Sequence, residues 1–231
     1  MNRGARNWLV AVLAGLTASG AWAVDDPLAA TLARMDRAAV GFTGITASFR
    51  KVDHTLLINE DSSNSGAFTL RRPKPRDVHV LWDIQEPDKS QVSVDTKEAI
   101  VYHPLTKVET IYNLSSYKSV VNQFLVLGFG STSKELESSY TIKAGSAEMV
   151  GSDKTMRLEL TPKSEEVRKY FSKVELWISD ATGLPVQQKL TEPNGDYHLA
   201  TYSHIVINPH LPESAVKLNL PKDVVVEYPQ K

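Results

Sequence analysis

Apolar and polar residues alternate along most of this chain, in short runs separated by turn residues. In the first clear run, Ile45, Ala47 and Phe49 share one side of the chain, and Thr46 and Ser48 share the other. A period of two is typical of β-strands with one buried face, so it predicts a mainly β protein built on antiparallel sheet. Further runs of this kind lie at 66–72, 78–82, 91–95, 99–103, 107–112, 156–160, 173–179, 186–190, 197–207 and 224–228.

Turn sequences between these runs support antiparallel pairing. Asp180 to Gly183 and Glu192 to Asp196 each lie between two consecutive runs. The second turn contains Asn194-Gly195, and both residue types tolerate the positive φ that tight hairpin turns require. We therefore expect consecutive strands in this part of the chain to form hairpins.

Three segments have helical spacing instead. Asp26 is a favourable N-cap before Pro27, and further helices are predicted over Ser115 to Leu127 and over Thr132 to Ser138. Taken alone, the segment Ser115 to Leu127 is typical of an ordinary helix on a packed core. The alternative is a lid over the opening of a curved sheet, in which the covering residues are Leu28, Leu32, Met35, Val120, Val121, Phe124 and Leu125.

The apolar faces of the predicted strands favour the lid, because they are larger than three short helices can cover. A sheet that curls around an unfilled space would account for the surplus. We therefore predict a hydrophobic cavity for an apolar ligand, lined by Phe49, Phe68, Leu70, Val80, Trp82, Leu158, Leu160, Leu176 and Ile178.

The N-terminal residues predict export from the cytoplasm. Arg3 and Arg6 precede the apolar run Trp8 to Leu16, and Ala21-Trp22-Ala23 is a favourable signal-peptidase site. We expect residues 1–23 to be a cleaved signal peptide and residues 24–231 to form a single domain in a bacterial periplasm. The chain has no cysteine, which excludes disulfides, thiolate metal sites and a lipid-bearing N-terminal cysteine.

Sequence motifs for catalysis or metal binding are absent. The six histidines lack metal-ligand spacing, no Gly-x-Ser-x-Gly elbow occurs, and Gly128-Phe129-Gly130 follows a predicted helix, unlike a phosphate-binding loop. The carboxylates lie among polar residues, as on a solvated surface, although an acid–base pair assembled from distant strands stays open. The charges, 26 Lys and Arg against 27 Asp and Glu, do not favour nucleic acid. We predict no catalytic site, metal, cofactor or nucleic-acid partner, and a monomer.

Arg71 and Arg72 end an apolar strand just before Pro73. Adjacent strand residues point to opposite faces, so Arg72 shares the predicted inner face with Phe68 and Leu70. A guanidinium there needs acceptors, which backbone carbonyls at the ends of covering helices would supply. One hypothesis is that Arg72 latches the helices over the cavity. An arginine that extends into solvent at the rim of the sheet is the alternative.

Taken together, these residues resemble the bacterial outer-membrane lipoprotein carrier family called LolA. Gly66 to Pro73 matches the family's Gly-x-Phe/Leu-x-x-x-Arg-Pro block, and Leu218 to Val226 resembles its closing segment. The resemblance covers essentially the whole chain after the predicted signal peptide. Weaker matches are Ala47 to Phe49, Pro87, Val101 to Pro104, Leu158 to Pro162 and Asp180 to Gly183.

The resemblance implies an incomplete antiparallel β-barrel, here of about ten or eleven strands, with a lid of short helices over a hydrophobic cavity. It also implies that Arg72 is the arginine that bonds the lid shut. Members of the family take acylated lipoproteins from an inner-membrane ABC exporter and hand them to a receptor lipoprotein at the outer membrane. The resemblance therefore implies a periplasmic lipoprotein carrier that is not an enzyme.

This chain departs from the family after the Arg-Pro pair. Lys74 to Val78 replaces the usual aromatic run, and the tryptophan is displaced to Trp82. The rim of the cavity is therefore expected to differ, which affects the cargo more than the fold. Binding of another amphiphile, such as a free lipid, a glycolipid or an isoprenoid, is the alternative function.

Overall fold

The computed structural model describes residues 26–74, 77–117, 121 and 127–229. The predicted signal peptide, 1–23, lies outside the described residues. The same holds for three of the predicted lid residues, Val120, Phe124 and Leu125.

Most of the described chain forms one twelve-stranded sheet with the order β12-β6-β5-β4-β3-β2-β1-β11-β10-β9-β8-β7. Neighbouring strands are antiparallel, except that β12 pairs with β6 in parallel. The sheet is open, with β12 and β7 at its two edges, which confirms the mainly β, incomplete-barrel prediction. The strands are β1 (Gly44–Thr55), β2 (Glu60–Lys74), β3 (Asp77–Glu86), β4 (Ser90–Val94), β5 (Glu98–His103), β6 (Val108–Asn113), β7 (Tyr140–Val150), β8 (Asp153–Pro162), β9 (Lys173–Ser179), β10 (Pro185–Thr191), β11 (Tyr197–Ile207) and β12 (Val225–Glu227).

The sequence pattern missed one of these strands, β7. Its pairing with β8 shifts register between Ala144 and Ala147, at a bulge that includes Gly145 and Ser146. The bulge breaks the alternation of apolar and polar residues in mid-strand, and β7 has only one neighbour. The sheet therefore has twelve strands where about ten or eleven were expected.

Gly66, in the block that resembles the LolA motif, lies close to the backbone of the neighbouring strand β3. A side chain there would put its Cβ 2.0 Å from the carbonyl oxygen of Asp83, which is too close for any residue with a Cβ. The pairing of β2 with β3 shifts register at this point, between Ser65 and Gly66. The glycine therefore lets these two long strands stay paired across the register shift.

The described helices are short and begin at side-chain caps. Asp26 accepts a hydrogen bond from the Leu28 amide at the start of α1 (Pro27–Ala39), as predicted. Thr132 and Glu135 form a capping box at the start of α2 (Ser133–Ser139), which confirms the third predicted helix. A single turn, α3 (Glu165–Arg168), follows β8, and 3₁₀ turns lie at Ser115–Tyr117 and Glu213–Val216.

Two packed clusters fill part of the inner face of the sheet. One lies under α1, where Leu32 and Met35 contact residues of β8 and β9. The other lies under the segment 127–131, where the Phe129 ring is 5.9 Å from the Phe68 ring and 5.2 Å from the Tyr202 ring. Among the residues that the structure describes, these two clusters leave part of the inner face without such cover.

Candidate functional site

A cavity of about 460 Å³ lies on the inner face beside these two clusters. This volume is within the range of about 300–1,000 Å³ that small-molecule sites occupy. Its apolar wall consists of Phe49, Trp82, Ile84, Val92, Val94, Leu114, Val121, Leu127, Phe171, Leu190, Ala200 and Tyr202. Its polar lining consists of Lys51, Asn64, Gln188 and His198.

Strand register places this cavity at one end of the sheet. The inner-face residues Ile45 and Leu70 pair with each other in the packed core, whereas Lys51 and Asn64, further along the same two strands, pair with each other at the cavity. Beyond the cavity, the turn 56–59 joins β1 to β2, and the turn 192–196 joins the nearby strands β10 and β11. We call this end of the sheet, defined by those two turns, the distal end.

Three of the predicted residues line the cavity: Phe49, Trp82 and Val121. The other predicted lining residues have a different position, in the packed clusters, namely Phe68, Leu70, Val80, Leu158, Leu160, Leu176 and Ile178. These residues are in the packed clusters because other elements cover them. Phe129 packs over Phe68, Leu70 and Val80, and α1 covers the other four. The α1 residues Leu28, Leu32 and Met35 accordingly pack on this core.

Several lining residues were missed from the sequence. Val92 and Val94 alternate in the predicted run 91–95, and Gln188 and Leu190 alternate in the run 186–190, so the period could have assigned them to the inner face. Phe171 precedes its strand and carries no periodic signal. Its position beside His198, with ring centroids 6.2 Å apart, is set by the fold alone.

Polar groups that line the cavity form hydrogen bonds with one another and with the covering segment. The Tyr202 hydroxyl donates to Gln188 Oε1 at 3.1 Å, and the Gln188 amide donates to the carbonyl of Leu127. Burial raises the pKa of Tyr202 far above its ordinary value, so this phenol stays neutral. The chain Tyr202–Gln188–Leu127 therefore ties the covering segment to the sheet without a buried charge.

Arg72 joins the sheet to the same covering segment. Its Nη1 donates to the carbonyl of Gly130, and its Nη2 lies 3.8 Å from Glu135 Oε1 in α2. The side chain is only 12% exposed, so it lies between the elements and not in solvent. Gly130 has a φ of +66°, and a Cβ there would lie 2.3 Å from the Phe42 ring, so a side chain would disturb the segment that presents this carbonyl.

Charged side chains form a hydrogen-bonded cluster at the distal rim of the cavity. His198 Nδ1 lies 2.5 Å from Asp53 Oδ1, His198 Nε2 lies 3.0 Å from Glu192 Oε1, and Lys51 Nζ lies 3.1 Å from Asp53 Oδ2. The hydrogen bond to Asp53 raises the pKa of His198 against the opposing effect of burial. Burial acts to raise the pKa of Asp53, but the His198 hydrogen bond and the Lys51 charge outweigh it and lower that pKa. The cluster therefore favours a protonated His198.

The contribution of His198 to stability is expected to depend on pH. Because its pKa is raised in the folded protein, protonation stabilises the fold below the unfolded value of about 6.5, and the effect is lost as the pH rises through the folded value. The group is partly exposed, so screening limits the effect to about 0.5 kcal/mol. We expect His198→Asn to lower the free energy of unfolding in urea by that amount at about pH 5.5 and hardly at all at about pH 9.

The exposed Ser63 on β2 provides the control for this measurement, because its side chain carries no charge at either pH. Ser63→Asn is expected to change the free energy of unfolding equally at both pH values. An effect of His198→Asn that does not vary with pH would contradict the ion-pair assignment.

Neither a metal site nor a membrane-spanning helix occurs among the described residues. In the described ranges, no group of three or more His, Asp or Glu side chains is arranged to hold a metal ion. Among the helices of the same ranges, none combines the length and the apolar character needed to cross a membrane.

Comparison with known proteins gives matches to both sequence and fold. The family model for the outer membrane lipoprotein carrier protein LolA matches residues 41–218 of this chain. An outer-membrane lipoprotein carrier protein from Ralstonia nicotianae is 29% identical over 160 residues, which are 69% of this chain and 67% of the relative.

Two solved structures share the fold at low identity. An uncharacterized conserved protein from Thermus thermophilus is 15% identical with a TM-score of 0.53, and the match covers 87% of this chain and 98% of that one. MucB is 13% identical with a TM-score of 0.51, over 83% of this chain and 62% of MucB. Likeness at this identity concerns the fold alone.

Proposed function

Because this chain belongs to the LolA family of outer-membrane lipoprotein carriers, we propose that it holds the acyl chains of lipoproteins in its cavity and carries them from the inner to the outer membrane. The observation that carries the proposal is the cavity of about 460 Å³ with its mainly apolar wall. The family is one of carriers, and we propose no catalytic step.

The energetics of an acyl chain explain why such a cavity is needed. Each buried CH₂ contributes about 0.8 kcal/mol, so a chain of roughly 16 carbons costs on the order of 12 kcal/mol to expose to water. Unassisted crossing of an aqueous compartment would be negligible at that cost. A wall built from residues such as Phe49, Trp82 and Val92 replaces the lipid environment during the crossing.

The proposed route has further parts. An inner-membrane ABC exporter would supply the lipoprotein, and an outer-membrane receptor lipoprotein would accept it. A cleaved signal peptide at 1–23 and a single carrier domain at 24–231 would place the protein in the periplasm. These steps stay proposals, and purification from periplasmic extract together with sequencing of the mature N-terminus tests the last of them.

We propose that Arg72 latches the empty protein. Its bonds to Gly130 and Glu135 hold the segment 127–131 and α2 against the sheet. A hydrogen bond to a charged group contributes about 1.5–3 kcal/mol. Cargo can open a latch of this size, because burial of one acyl chain returns several times as much free energy.

Arg72→Leu is expected to load an acylated lipoprotein normally but to transfer it to acceptor membranes several times more slowly. Loss of the latch removes stabilisation from the empty closed state, so the loaded state is favoured. Transfer from purified, loaded protein to vesicles that carry the receptor measures the effect. Arg71→Leu is the matched control, since Arg71 points to the other face and donates to the Leu211 carbonyl. Normal transfer by Arg72→Leu would remove the latch.

Mass spectrometry of the molecules that co-purify with the mature protein tests the cargo itself. Acylated lipoproteins or their lipid-modified N-terminal peptides are the expected result. A free lipid, glycolipid or isoprenoid without protein would assign the cavity to a different amphiphile and overturn the lipoprotein proposal.

A further inference from the structure

The β1–β2 hairpin ends in three consecutive exposed apolar residues. Leu56 is 54% exposed, Leu57 is 92% exposed and Ile58 is 59% exposed. Exposed hairpin tips are normally polar, because apolar side chains there gain nothing from the core. A run of this kind is expected only where another apolar surface covers it.

The tip is held in a defined position by the neighbouring hairpin. The Leu56 amide donates to Asp196 Oδ1 at 2.8 Å, and the Leu56 side chain lies against Gly195. The Asn59 amide donates to the Leu56 carbonyl at 3.3 Å and closes the turn. The turn is therefore held by specific contacts, and it presents the three apolar side chains to solvent in a defined position.

The tip belongs to the distal end, beside the cavity. Lys51, a cavity-lining residue, lies four residues before β1 ends at Thr55, a distance of about 13 Å along an extended strand, and Leu57 follows in the turn. Leu105, in the β5–β6 turn, is 83% exposed, and the alternating directions of β1 to β5 place this turn at the distal end too. Apolar points on well-separated hairpins thus flank the end of the sheet where the cavity lies.

We propose that the distal end docks on a lipid bilayer, with Leu57 and its neighbours inserted between the headgroups and Leu105 as a second contact. A stable protein interface buries about 800 Å² on each partner, far more than three side chains at a convex turn provide. Shallow insertion into the boundary of headgroups and acyl chains is effective with few apolar residues and stays reversible. The proposal goes beyond the proposed function, because docking needs no cargo in the cavity.

The charges around the tip indicate which kind of lipid bilayer it would bind. Glu60, Asp61 and Asp196 adjoin it, and His54 is the nearest basic side chain on the hairpin, 2.7 Å from Asp61. These acidic side chains offer anionic lipids no attraction at the tip, and Lys107, near Leu105, is paired with Asp223, so apolar burial drives docking and electrostatic attraction does not. Binding is therefore expected on neutral phosphatidylcholine and is expected to persist at high salt.

Flotation of the empty mature protein with phosphatidylcholine vesicles tests the proposal. Leu57→Asp is expected to lower the partition coefficient about fivefold, and the double variant with Leu105→Asp is expected to lower it further. Val40→Asp is the matched control, since Val40 is 81% exposed in the connection from α1 to β1, away from the distal end, and this variant should float as the wild type does.

Three results would overturn the proposal: equal flotation of wild type and Leu57→Asp, flotation that requires anionic lipid and is lost at high salt, or an equal loss with Val40→Asp. A wild-type dimer that Leu57→Asp converts to a monomer, without vesicle binding by either, would assign the tip to contact between copies of this chain. Because no cargo is present, failure here leaves the carrier proposal intact, and absence of acyl cargo leaves vesicle docking intact.

Discussion

Replacing Leu176 by alanine is expected to lower the free energy of unfolding by about 2–5 kcal/mol. Leu176 is fully buried on β9, in the cluster that α1 covers. It also lies close to the covering segment, since a Cβ at Gly128 would be 3.2 Å from its Cδ1. Because the surrounding side chains are held by both elements, they cannot collapse into the vacated space. Urea denaturation of the mature protein measures the change.

Val92→Ala is the matched comparison for Leu176→Ala, because Val92 faces the cavity from β4. The Val92 side chain already borders empty space, so truncating it removes fewer packing contacts. We expect Val92→Ala to lower the free energy of unfolding by less than about 1.5 kcal/mol. Equal losses at Leu176 and Val92 would mean that the inner face is uniformly packed, and the division into core and cavity would then be wrong.

The sequence predicted the strands well, because burial of one face imposes a period of two that is visible in each run. Eleven runs correspond to strands of the sheet, and β7 was missed where the bulge between Ala144 and Ala147 interrupts the period. Helix α1 was located by local chemistry, through Asp26 as N-cap before Pro27, and α2 was located by the helical spacing of its residues. Local signals of this kind need no knowledge of the tertiary fold.

The cavity could be predicted only in part, because periodicity gives the face of a residue and not what covers that face. Leu160 and Leu190 both lie on inner faces, yet Leu160 is buried in the packed core and Leu190 lines the cavity. The difference depends on where α1 and the segment 127–131 lie across strands distant in sequence. Contacts such as that of Phe129 with Tyr202 have no counterpart in a pattern along the chain.

For Arg72, the sequence predicts the face of the sheet and the need for acceptors, but not which residues supply them. Its face follows from the alternation with Phe68 and Leu70, and the need for acceptors follows from burial of a guanidinium. The identity of the acceptors depends on Gly130 and Glu135, which lie some 60 residues further along the chain. The polar cluster around His198 was missed for the same reason, since Asp53 and Glu192 meet it only through the pairing of β1 with β11 and through the turn after β10.

The division of the inner face into a packed core and a cavity determines how a bound amphiphile would be held. The packed core and the cavity share the strands β1, β2, β3 and β11, so an acyl chain in the cavity would be held by a wall that the core keeps rigid. Rigidity on one side and a polar rim with Lys51 and His198 on the other would orient a bound amphiphile. Its apolar chain would point toward the core, and its polar part would stay at the distal end.

Ala200→Trp is therefore expected to abolish most acyl binding while the fold is retained. Ala200 lies on the inner face of β11 between His198 and Tyr202, where its small side chain leaves room in the cavity. An indole there would displace about four CH₂ groups of a bound chain, which costs about 3 kcal/mol, or about a hundredfold in affinity. Fluorescence titration with a palmitoylated, dye-labelled peptide measures the loss.

Ser203→Trp supplies the control for Ala200→Trp, because Ser203 is exposed on the same strand. It introduces the same side chain outside the cavity, so we expect an unchanged affinity for the peptide. Urea denaturation should give both variants a free energy of unfolding within about 1 kcal/mol of the wild type, since the indole at Ala200 enters space that is already open. A stable Ala200→Trp protein that binds the palmitoylated peptide with wild-type affinity would place the acyl site outside this cavity.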